Sequence, residues 1–256
     1  MNYQNIFDSH AHYDDEQFAG DLKELLARFP ESGVCGVVSC GVSPETCAFS
    51  VTLSEKYPFI YAAAGFHPLN LREAPEDVEN ALAPFFEHPK TVAVGEIGLD
   101  YHYEKETRVE QLVLFERQLQ FACERDLPVI VHDREAHADT LELLQKYKPR
   151  GVVHCFSGSV EMAREVLKLG MYIGLGGAVT FKNAVKPVEV AAMVPDDRLL
   201  VETDAPYMTP VPFRGKRCDS RHIAYTAERL AGIRGADTQD LLDKTCQNAK
   251  DLFGIA

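Results

Sequence analysis

The 256-residue sequence lacks long apolar segments, Cys-X-X-Cys pairs and an excess of positive charge. No segment is long and apolar enough to cross a bilayer, and the polar N-terminus lacks the basic-then-apolar pattern of a signal peptide. We therefore expect a cytoplasmic protein that does not bind membranes. The formal net charge of -13 argues against tight, sequence-independent clamping of a nucleic-acid backbone, which needs many lysines and arginines, so the site itself would have to hold any phosphate-bearing substrate. Nothing in the sequence indicates an obligate protein partner.

The seven cysteines are odd in number and scattered along the chain. Cys35, Cys40, Cys123 and Cys155 lie in apolar stretches, and we predict that they are buried. Reduced structural thiols are therefore favoured over a redox or zinc-binding role.

Short β-rich segments alternate with amphipathic segments along the whole chain, without a linker or a change of composition. This pattern predicts a single α/β domain over residues 1–256, and we expect helices to be capped at Ser43 and Thr107. The predicted strands are Ile6–Ser9, Val34–Gly41, Phe59–Phe66, Thr91–Leu99, Pro128–His132, Gly151–Phe156, Tyr172–Gly177 and Leu199–Thr203. Eight βα units in this length match a (β/α)8 TIM barrel, whose catalytic groups lie at the C-terminal ends of the strands. A doubly wound open sheet is the alternative, but the sequence has no Gly-X-Gly-X-X-Gly loop and no phosphate-loop lysine motif.

Ionisable side chains cluster at the predicted strand ends. In the stretch "FDSHAH", alternation along a strand points His10 and His12 to the same side. The further candidates, in chain order, are His67, Glu96, Asp100, His132, His154, Glu202 and Asp204. Each one alone could be a core histidine, an ion-pair partner or a helix cap. Together, at one end of a barrel, they would be costly to bury unless a divalent cation paired them.

The number of candidate ligands favours two ions, because a single catalytic zinc uses three protein ligands and an open position. We predict that His10, His12 and Asp204 bind the first ion, that His132 and His154 bind the second, and that Glu96 bridges both. Mixed imidazole and carboxylate ligation fits zinc, manganese or magnesium. The remaining histidines are predicted to be ordinary surface residues; they are His88, His102, His137 and His222.

Taken together, the motifs "DSHAH", "GFHP", "GEIGLDYH", "VIVHDRE", "HCFSGS", "GGAVTFKNA" and "VETDAPYMTP" resemble the TatD family of metal-dependent deoxyribonucleases over nearly the whole chain. The resemblance implies metal binding by His10, His12, Glu96, His132, His154 and Asp204. It also implies hydrolysis of DNA, either as 3′ to 5′ exonuclease action on single strands or as endonuclease cleavage. Related barrels that hydrolyse cyclic amides or phosphotriesters use a carbamylated lysine where this chain has Glu96, which favours the nuclease branch.

One segment departs from the family pattern. After "PFRGKR", most relatives continue with asparagine, an acidic residue and proline, whereas this chain has Cys218, Asp219 and Ser220. Because the loop after the eighth strand borders the mouth of the barrel, we expect the departure to affect substrate preference more than the reaction.

The candidate residues take different parts in the predicted reaction. Asp204 accepts a proton from the attacking water, while the ions activate that water and neutralise charge on the phosphoryl oxygens. His67 binds a substrate phosphate, although capping of the turn before Pro68 explains it equally well. Arg134 and Lys182 add positive charge, and Glu202 and Asp100 orient ligands from behind.

Three rival functions stay open at this point. They are a deacylase that removes a misplaced D-amino acid from tRNA, a phosphoesterase or lactonase on the same site, and a barrel that keeps its metal only for stability and acts as a binding module. The complete set of candidate ligands counts against the last of these.

Overall fold

The computed structural model describes residues 3–256. Its eight strands form one parallel sheet in chain order. They are β1 Ile6–Ala11, β2 Val34–Cys40, β3 Ile60–Ala64, β4 Thr91–Asp100, β5 Val129–Arg134, β6 Gly151–Val153, β7 Tyr172–Leu175 and β8 Leu199–Val201. A parallel bridge between Ala11 and Ala205 brings the end of the sheet back to its start. The predicted (β/α)8 barrel is confirmed.

All eight strands lie where the sequence predicts them, but their ends differ. The largest shift is at β6, which ends at Val153 and not at Phe156. His10 lies inside β1 and His132 inside β5, whereas His154 and Asp204 follow their strands. β1, β4 and β5 run further than predicted at this edge, whereas β2, β3, β6, β7 and β8 end earlier.

Nine helices alternate with these strands or follow the last of them in the described residues. They are α1 Leu22–Ala27, α2 Pro44–Lys56, α3 Val78–Leu82, α4 Arg108–Glu124, α5 His137–Tyr147, α6 Val160–Lys168, α7 Lys186–Met193, α8 Ile223–Arg234 and α9 Thr238–Phe253. Ser43 caps α2 as predicted, in a capping box with Thr46. Thr107 does not cap α4, because its hydroxyl donates to the Glu104 carbonyl at 2.8 Å instead. No helix between residues 3 and 256 is long and apolar enough to span a membrane.

The last helix covers the inside of the barrel at the N-terminal ends of the strands. Side chains from α9 join an apolar cluster with inward-facing strand residues; the cluster includes Phe7, Val38, Ile130, Leu200, Cys246, Ala249 and Phe253. Burying one large side chain of this kind stabilises the fold by about 1.5–3 kcal/mol. This end of the barrel is apolar and closed, and the polar candidate residues lie at the opposite end.

The thiols are free, but the predicted burial is wrong for two of them. Cys40 is buried and Cys155 is partly buried, whereas Cys35 and Cys123 are exposed. Apolar neighbours in the sequence do not imply burial, because neighbouring residues of a strand or helix can face different sides. Cys123 is exposed although Phe121 and Ala122, directly before it in α4, are both in the core.

Candidate metal centre

Glu96, in β4, lies at the centre of the polar cluster. Its Oε2 atom is 3.4 Å from Nε2 of His10 and 3.2 Å from Nε2 of His12. Its Oε1 atom is 2.8 Å from Nδ1 of His132 and 2.8 Å from Nε2 of His154. The two oxygens of one buried carboxylate therefore face two separate pairs of imidazoles.

His10 and His12, the first pair, point to the same side of β1, as the alternation of side chains along a strand predicts. The Nε2 atoms of His10 and His12 are 3.0 Å apart, and Oδ1 of Asp204 is 3.6 Å from each of them. On the far side of its ring, His12 Nδ1 lies 3.0 Å from the Cys40 carbonyl oxygen. Because a carbonyl can only accept, Nδ1 carries the proton and Nε2 is left to bind a cation.

A carboxylate lies behind each ring of the second pair. Nε2 of His132 lies 3.2 Å from Oδ2 of Asp100, on the side of the ring opposite Glu96. Glu202 is fully buried, accepts from the Cys155 N–H, and has its Oε1 atom 3.9 Å from Nδ1 of His154. Asp100 is within hydrogen-bond distance of its imidazole, which is the arrangement that fixes the tautomer of a metal-binding histidine. Within the described residues, Nδ1 of His154 has no hydrogen-bond partner, and the Glu202 carboxylate lies beside it without bonding to it.

Asp8 is a buried residue of this region to which the sequence analysis gave no role. Its carboxylate accepts from the Thr203 N–H at 3.0 Å, from the Thr203 hydroxyl at 2.6 Å and from the Ser220 hydroxyl at 2.7 Å. Asp8 precedes His10, and Thr203 precedes Asp204, so these bonds fix the backbone positions of two candidate ligands. The signal was present in the sequence, since the aspartate stands two residues before the first histidine of the His-X-His stretch.

The segment that departs from the family pattern, residues 218–220, lies next to Asp8 and not at the rim of the cavity. Cys218, Asp219 and Ser220 are all buried. The Ser220 hydroxyl donates its proton to Asp8 and so accepts a 2.7 Å hydrogen bond from the Tyr13 hydroxyl. They lie behind the candidate ligands and do not line the cavity that opens onto them. The departure therefore does not place these three side chains in contact with the cavity, and its effect on substrate preference stays a prediction.

Burial and neighbouring charges shift the pKa values of the groups in the cluster in different directions. The Glu96 pKa lies well below its usual range, since the imidazoles of His154, His67 and His10 outweigh the effect of burial. Burial lowers the pKa of His12, but the hydrogen bond with Glu96 outweighs it and raises that pKa to about 9. Hydrogen bonds with Asp100 and Glu96 likewise outweigh burial at His132 and raise its pKa to about 10. Protonated imidazoles thus compensate the buried negative charge when no cation does so.

These donor atoms fit divalent cations. Ligand atoms lie within 4.8 Å of one another in three groups, which are His10, His12 and Glu96; His10, His154 and Asp204; and His67, Glu96 and His132. Neutral imidazole nitrogens and carboxylate oxygens are ligands suited to zinc, manganese and magnesium in the proportions found here. The chemistry of the donor set and the deep burial of Glu96 both favour a cation over a purely structural ion-pair network.

His67 also approaches Glu96, with its Nε2 atom 3.4 Å from Oε1. Its Nδ1 atom accepts from the Leu69 N–H at 3.2 Å, so the ring does cap the turn that begins at Pro68. Because Nδ1 accepts, the proton of the neutral ring is on Nε2, and burial lowers the pKa of the ring and favours this neutral form. Nε2 is then a donor, better suited to a carboxylate or phosphate oxygen than to a cation.

A cavity of about 700 Å³ opens onto the cluster at the C-terminal ends of the strands. Arg134 lines it, with its guanidinium over the Tyr103 ring at 4.7 Å from the centroid. Lys182 is exposed and is not among the residues that line the cavity. Lys186 lines a neighbouring cavity of about 380 Å³, which Arg134 also borders. The structure therefore brings Arg134 to the cluster and leaves Lys182 outside.

One histidine that the sequence assigned to the surface lies beside the cluster. His137 lines the smaller cavity, and its Nδ1 atom is 2.7 Å from Oδ2 of Asp133. His137 is the first residue of α5, only three residues after the end of β5, and this short connection places its imidazole next to the strand end.

Comparison with known proteins agrees with this geometry. The family model described as TatD related DNase matches residues 7–254. The chain is 41% identical over 253 residues to an uncharacterized metal-dependent hydrolase of Bacillus subtilis, YabD, with 98% of this chain and 99% of the relative covered. It is 34% identical over 260 residues to the 3′-5′ ssDNA/RNA exonuclease TatD of Citrobacter koseri, with 98% of this chain and 100% of the relative covered.

A solved structure gives the same result at the level of the fold. The crystal structure of YJJV, a TatD homolog from Escherichia coli, superposes with a TM-score of 0.93 at 34% identity and covers 98% of this chain and 99% of its own. Matches that extend over nearly the full length of each protein leave no part of the barrel outside the likeness. The chain belongs to the TatD-related DNase family of metal-dependent hydrolases.

Proposed function

We propose that this protein hydrolyses phosphodiester bonds of single-stranded DNA from the 3′ end, with two divalent cations of magnesium, manganese or zinc. The observation that carries the proposal is the position of Glu96, whose two oxygens face two separate imidazole pairs. The relative named as a 3′-5′ ssDNA/RNA exonuclease supports the substrate and the polarity. A cytoplasmic location remains a prediction from the sequence.

The two cations would have different ligands around a shared carboxylate. His10, His12 and Asp204 would hold one of them, His132 and His154 would hold the other, and Glu96 would contribute to both. Bound there, the cations would lower the pKa of a water molecule and neutralise negative charge on the phosphoryl oxygens. Asp100 would keep the His132 ring in the orientation that binding requires, and Glu202 places a negative charge beside the His154 ring.

Three side chains would act directly on the substrate. Asp204 is the proton acceptor for the attacking water, since its side chain keeps 19% exposure beside the cluster. His67 donates from Nε2 to a phosphoryl oxygen, which the proton position on its ring favours. Arg134 supplies a second donor from the rim of the cavity.

The shape of the cavity favours an unpaired strand. The cluster lies inside the mouth of a barrel, where a flexible single-stranded end can enter and a base-paired duplex must first be opened. Tyr103 and Tyr207 line the cavity and are 60% and 52% exposed. Exposed aromatic rings are stacking platforms for unpaired bases, worth roughly 1–3 kcal/mol per base. Attraction to phosphate is then local, in agreement with a net charge of -13.

The test uses purified protein that is stripped of metal and reloaded separately with magnesium, manganese or zinc. Substrates labelled at the 5′ end are single-stranded DNA, duplex DNA and RNA of the same sequence, beside a D-aminoacyl-tRNA. We expect progressive shortening of single-stranded DNA from the 3′ end. Release of the amino acid from tRNA with intact DNA would replace the nuclease with a deacylase.

Glu96→Ala provides the matched test of the metal centre. We expect it to lose both ions by elemental analysis and to lose activity, while Lys182→Ala, which changes a charge outside the cavity, should keep both. A Glu96→Ala protein that retains two ions per chain would exclude Glu96 as the bridge.

A further inference from the structure

Two thiols meet at the closed end of the barrel, far along the chain from one another. Sγ of Cys35, in β2, is 3.5 Å from Sγ of Cys246, in α9. Cys35 is exposed, whereas Cys246 is 6% exposed and packs in the apolar cluster under the barrel. A disulfide bond is about 2.05 Å long, so the sulfurs need to approach by roughly 1.5 Å to form one.

The surroundings make the two thiols unequal. The hydrogen bond from Cys246, with help from the Lys250 ammonium and against the effect of burial, lowers the pKa of Cys35. The same bond and burial raise the pKa of Cys246. Cys35 is thus the accessible thiol with more thiolate character, and Cys246 is a protonated neighbour. Oxidation-sensitive cysteines combine these properties with a nearby second thiol.

We propose that Cys35 and Cys246 are a site of reversible oxidation, at which a hydroperoxide converts the two thiols into a disulfide. The Cys35 thiolate attacks the peroxide, the O–O bond breaks, and Cys35 becomes a sulfenic acid as the peroxide is reduced to water or an alcohol. The Cys246 sulfur then attacks the Cys35 sulfur, and the sulfenic hydroxyl leaves as water with the Cys246 proton. Two electrons pass from the thiols to the peroxide, and a dithiol reductant reverses the change.

The bond would fasten the last helix to the barrel. At present α9 is held at this end by apolar packing and by bonds such as the one from Asn5 to Asp243 at 2.9 Å. A covalent link between β2 and α9 closes a loop that contains most of the chain and so restricts the unfolded state. The metal centre lies at the opposite end of the strands, so the proposal does not depend on the substrate.

The decisive experiment treats the full-length protein with hydrogen peroxide and maps its disulfides by mass spectrometry. We expect the intact protein to lose the mass of two hydrogen atoms and two of its seven reactive thiols. The tryptic peptide 245–250 contains Cys246 alone, whereas the peptide 29–56 contains Cys35, Cys40 and Cys47, so fragmentation must assign the linkage to Cys35. The bond should be absent in Cys35→Ser and Cys246→Ser and present in Cys123→Ser, the matched control at another exposed thiol.

Thermal unfolding gives a second readout. Oxidised wild-type protein should melt roughly 5–10 °C higher than reduced protein, and dithiothreitol should reverse the shift. Sulfinic acid on Cys35 with Cys246 unmodified, or a linkage at other cysteines, would overturn the proposal. Mapping in the wild type decides the matter even if a variant does not fold.

Discussion

Ser220 donates a 2.7 Å hydrogen bond to the carboxylate of Asp8, across 212 residues of sequence. Burial raises the pKa of Asp8 to about 6, although bonds from Thr203 and Ser220 lower it. The bond therefore stabilises the charged carboxylate that joins β1 to the end of β8. Since those two segments carry His10, His12 and Asp204, a hydroxyl in the departing segment supports three of the candidate ligands without touching them.

Ser220→Ala should weaken this support. A hydrogen bond to a charged group contributes about 1.5–3 kcal/mol, so we expect the free energy of unfolding to fall by about that amount at pH 8, where Asp8 is ionised. Metal occupancy should also fall at limiting metal concentration. Urea denaturation of metal-free protein checks the first effect, and Ser32→Ala, which removes a hydroxyl bonded to the Arg28 carbonyl, is the control. Equal stability of the two variants would mean that Asp8 is held by Thr203 alone.

Two substitutions separate the roles of His67. His67→Ala removes both the turn cap and the Nε2 donor, whereas His67→Asn keeps a capping acceptor but is too short to reach Glu96 or a phosphate. Both variants should keep their metal, and both should lose roughly 10-fold or more in activity on DNA. If His67→Asn matches the wild type in turnover, His67 is a structural cap only. If both lose metal, His67 is a ligand after all.

Metal loading should release protons. In the metal-free site the pKa of His12 is raised to about 9 and that of His132 to about 10, so both rings are protonated at pH 7 and must lose a proton to bind a cation. Calorimetric titration in two buffers of different ionisation enthalpy should therefore give different apparent heats at pH 7, and affinity should fall as the pH falls from 9 to 6. Equal heats in both buffers would contradict this assignment of protons.

The raised pKa values of His12 and His132 also determine how the stability of the metal-free protein changes with pH. A histidine whose folded pKa is raised above about 6.5 stabilises the folded state fully below that pH and loses the contribution as the pH rises through the folded pKa. Metal-free protein should therefore become less stable between about pH 6.5 and 10 from these two rings, and saturating metal should offset the loss. Thermal melts across this range, with and without metal, measure both.

The barrel and the cluster were accessible from the sequence because both depend on local patterns. Each strand is an apolar run, and each candidate ligand stands at or just beyond the end of one, so parallel strands bring them to one edge. Alternation along β1 sufficed to bring His10 and His12 together. These relationships involve no more than a few residues of spacing.

Other features depend on contacts between distant segments and carry no local signal. The Asp8–Ser220 bond is one, and the approach of Cys35 to Cys246 across 211 residues is another. Lys182 was chosen for charge and position, yet Lys186, at the start of α7, is the lysine that reaches a cavity beside the cluster. The two lysines are only four residues apart, and the sequence alone does not predict which of them lines a cavity.

Asp204→Asn separates catalysis from metal binding at the end of β8. Asp204 adopts a left-handed backbone conformation with φ of 59°, which asparagine tolerates better than most residues. The substitution also keeps the side-chain size and one acceptor oxygen, but the amide cannot take a proton near neutral pH. Because His10, His12 and Glu96 remain, the variant should keep its fold and much of its metal.

The turnover number of Asp204→Asn on single-stranded DNA should nevertheless fall by roughly 10²-fold or more, the usual scale for losing a positioned proton acceptor. KM should change little, because the phosphate contacts assigned to His67 and Arg134 are intact. The measurement is kcat together with metal content in one preparation, since a fall in both would report ligand loss and not base loss. Turnover close to the wild type with metal in place would leave Asp204 as a ligand only, and the proton would then have to leave through another group of the cluster or through solvent.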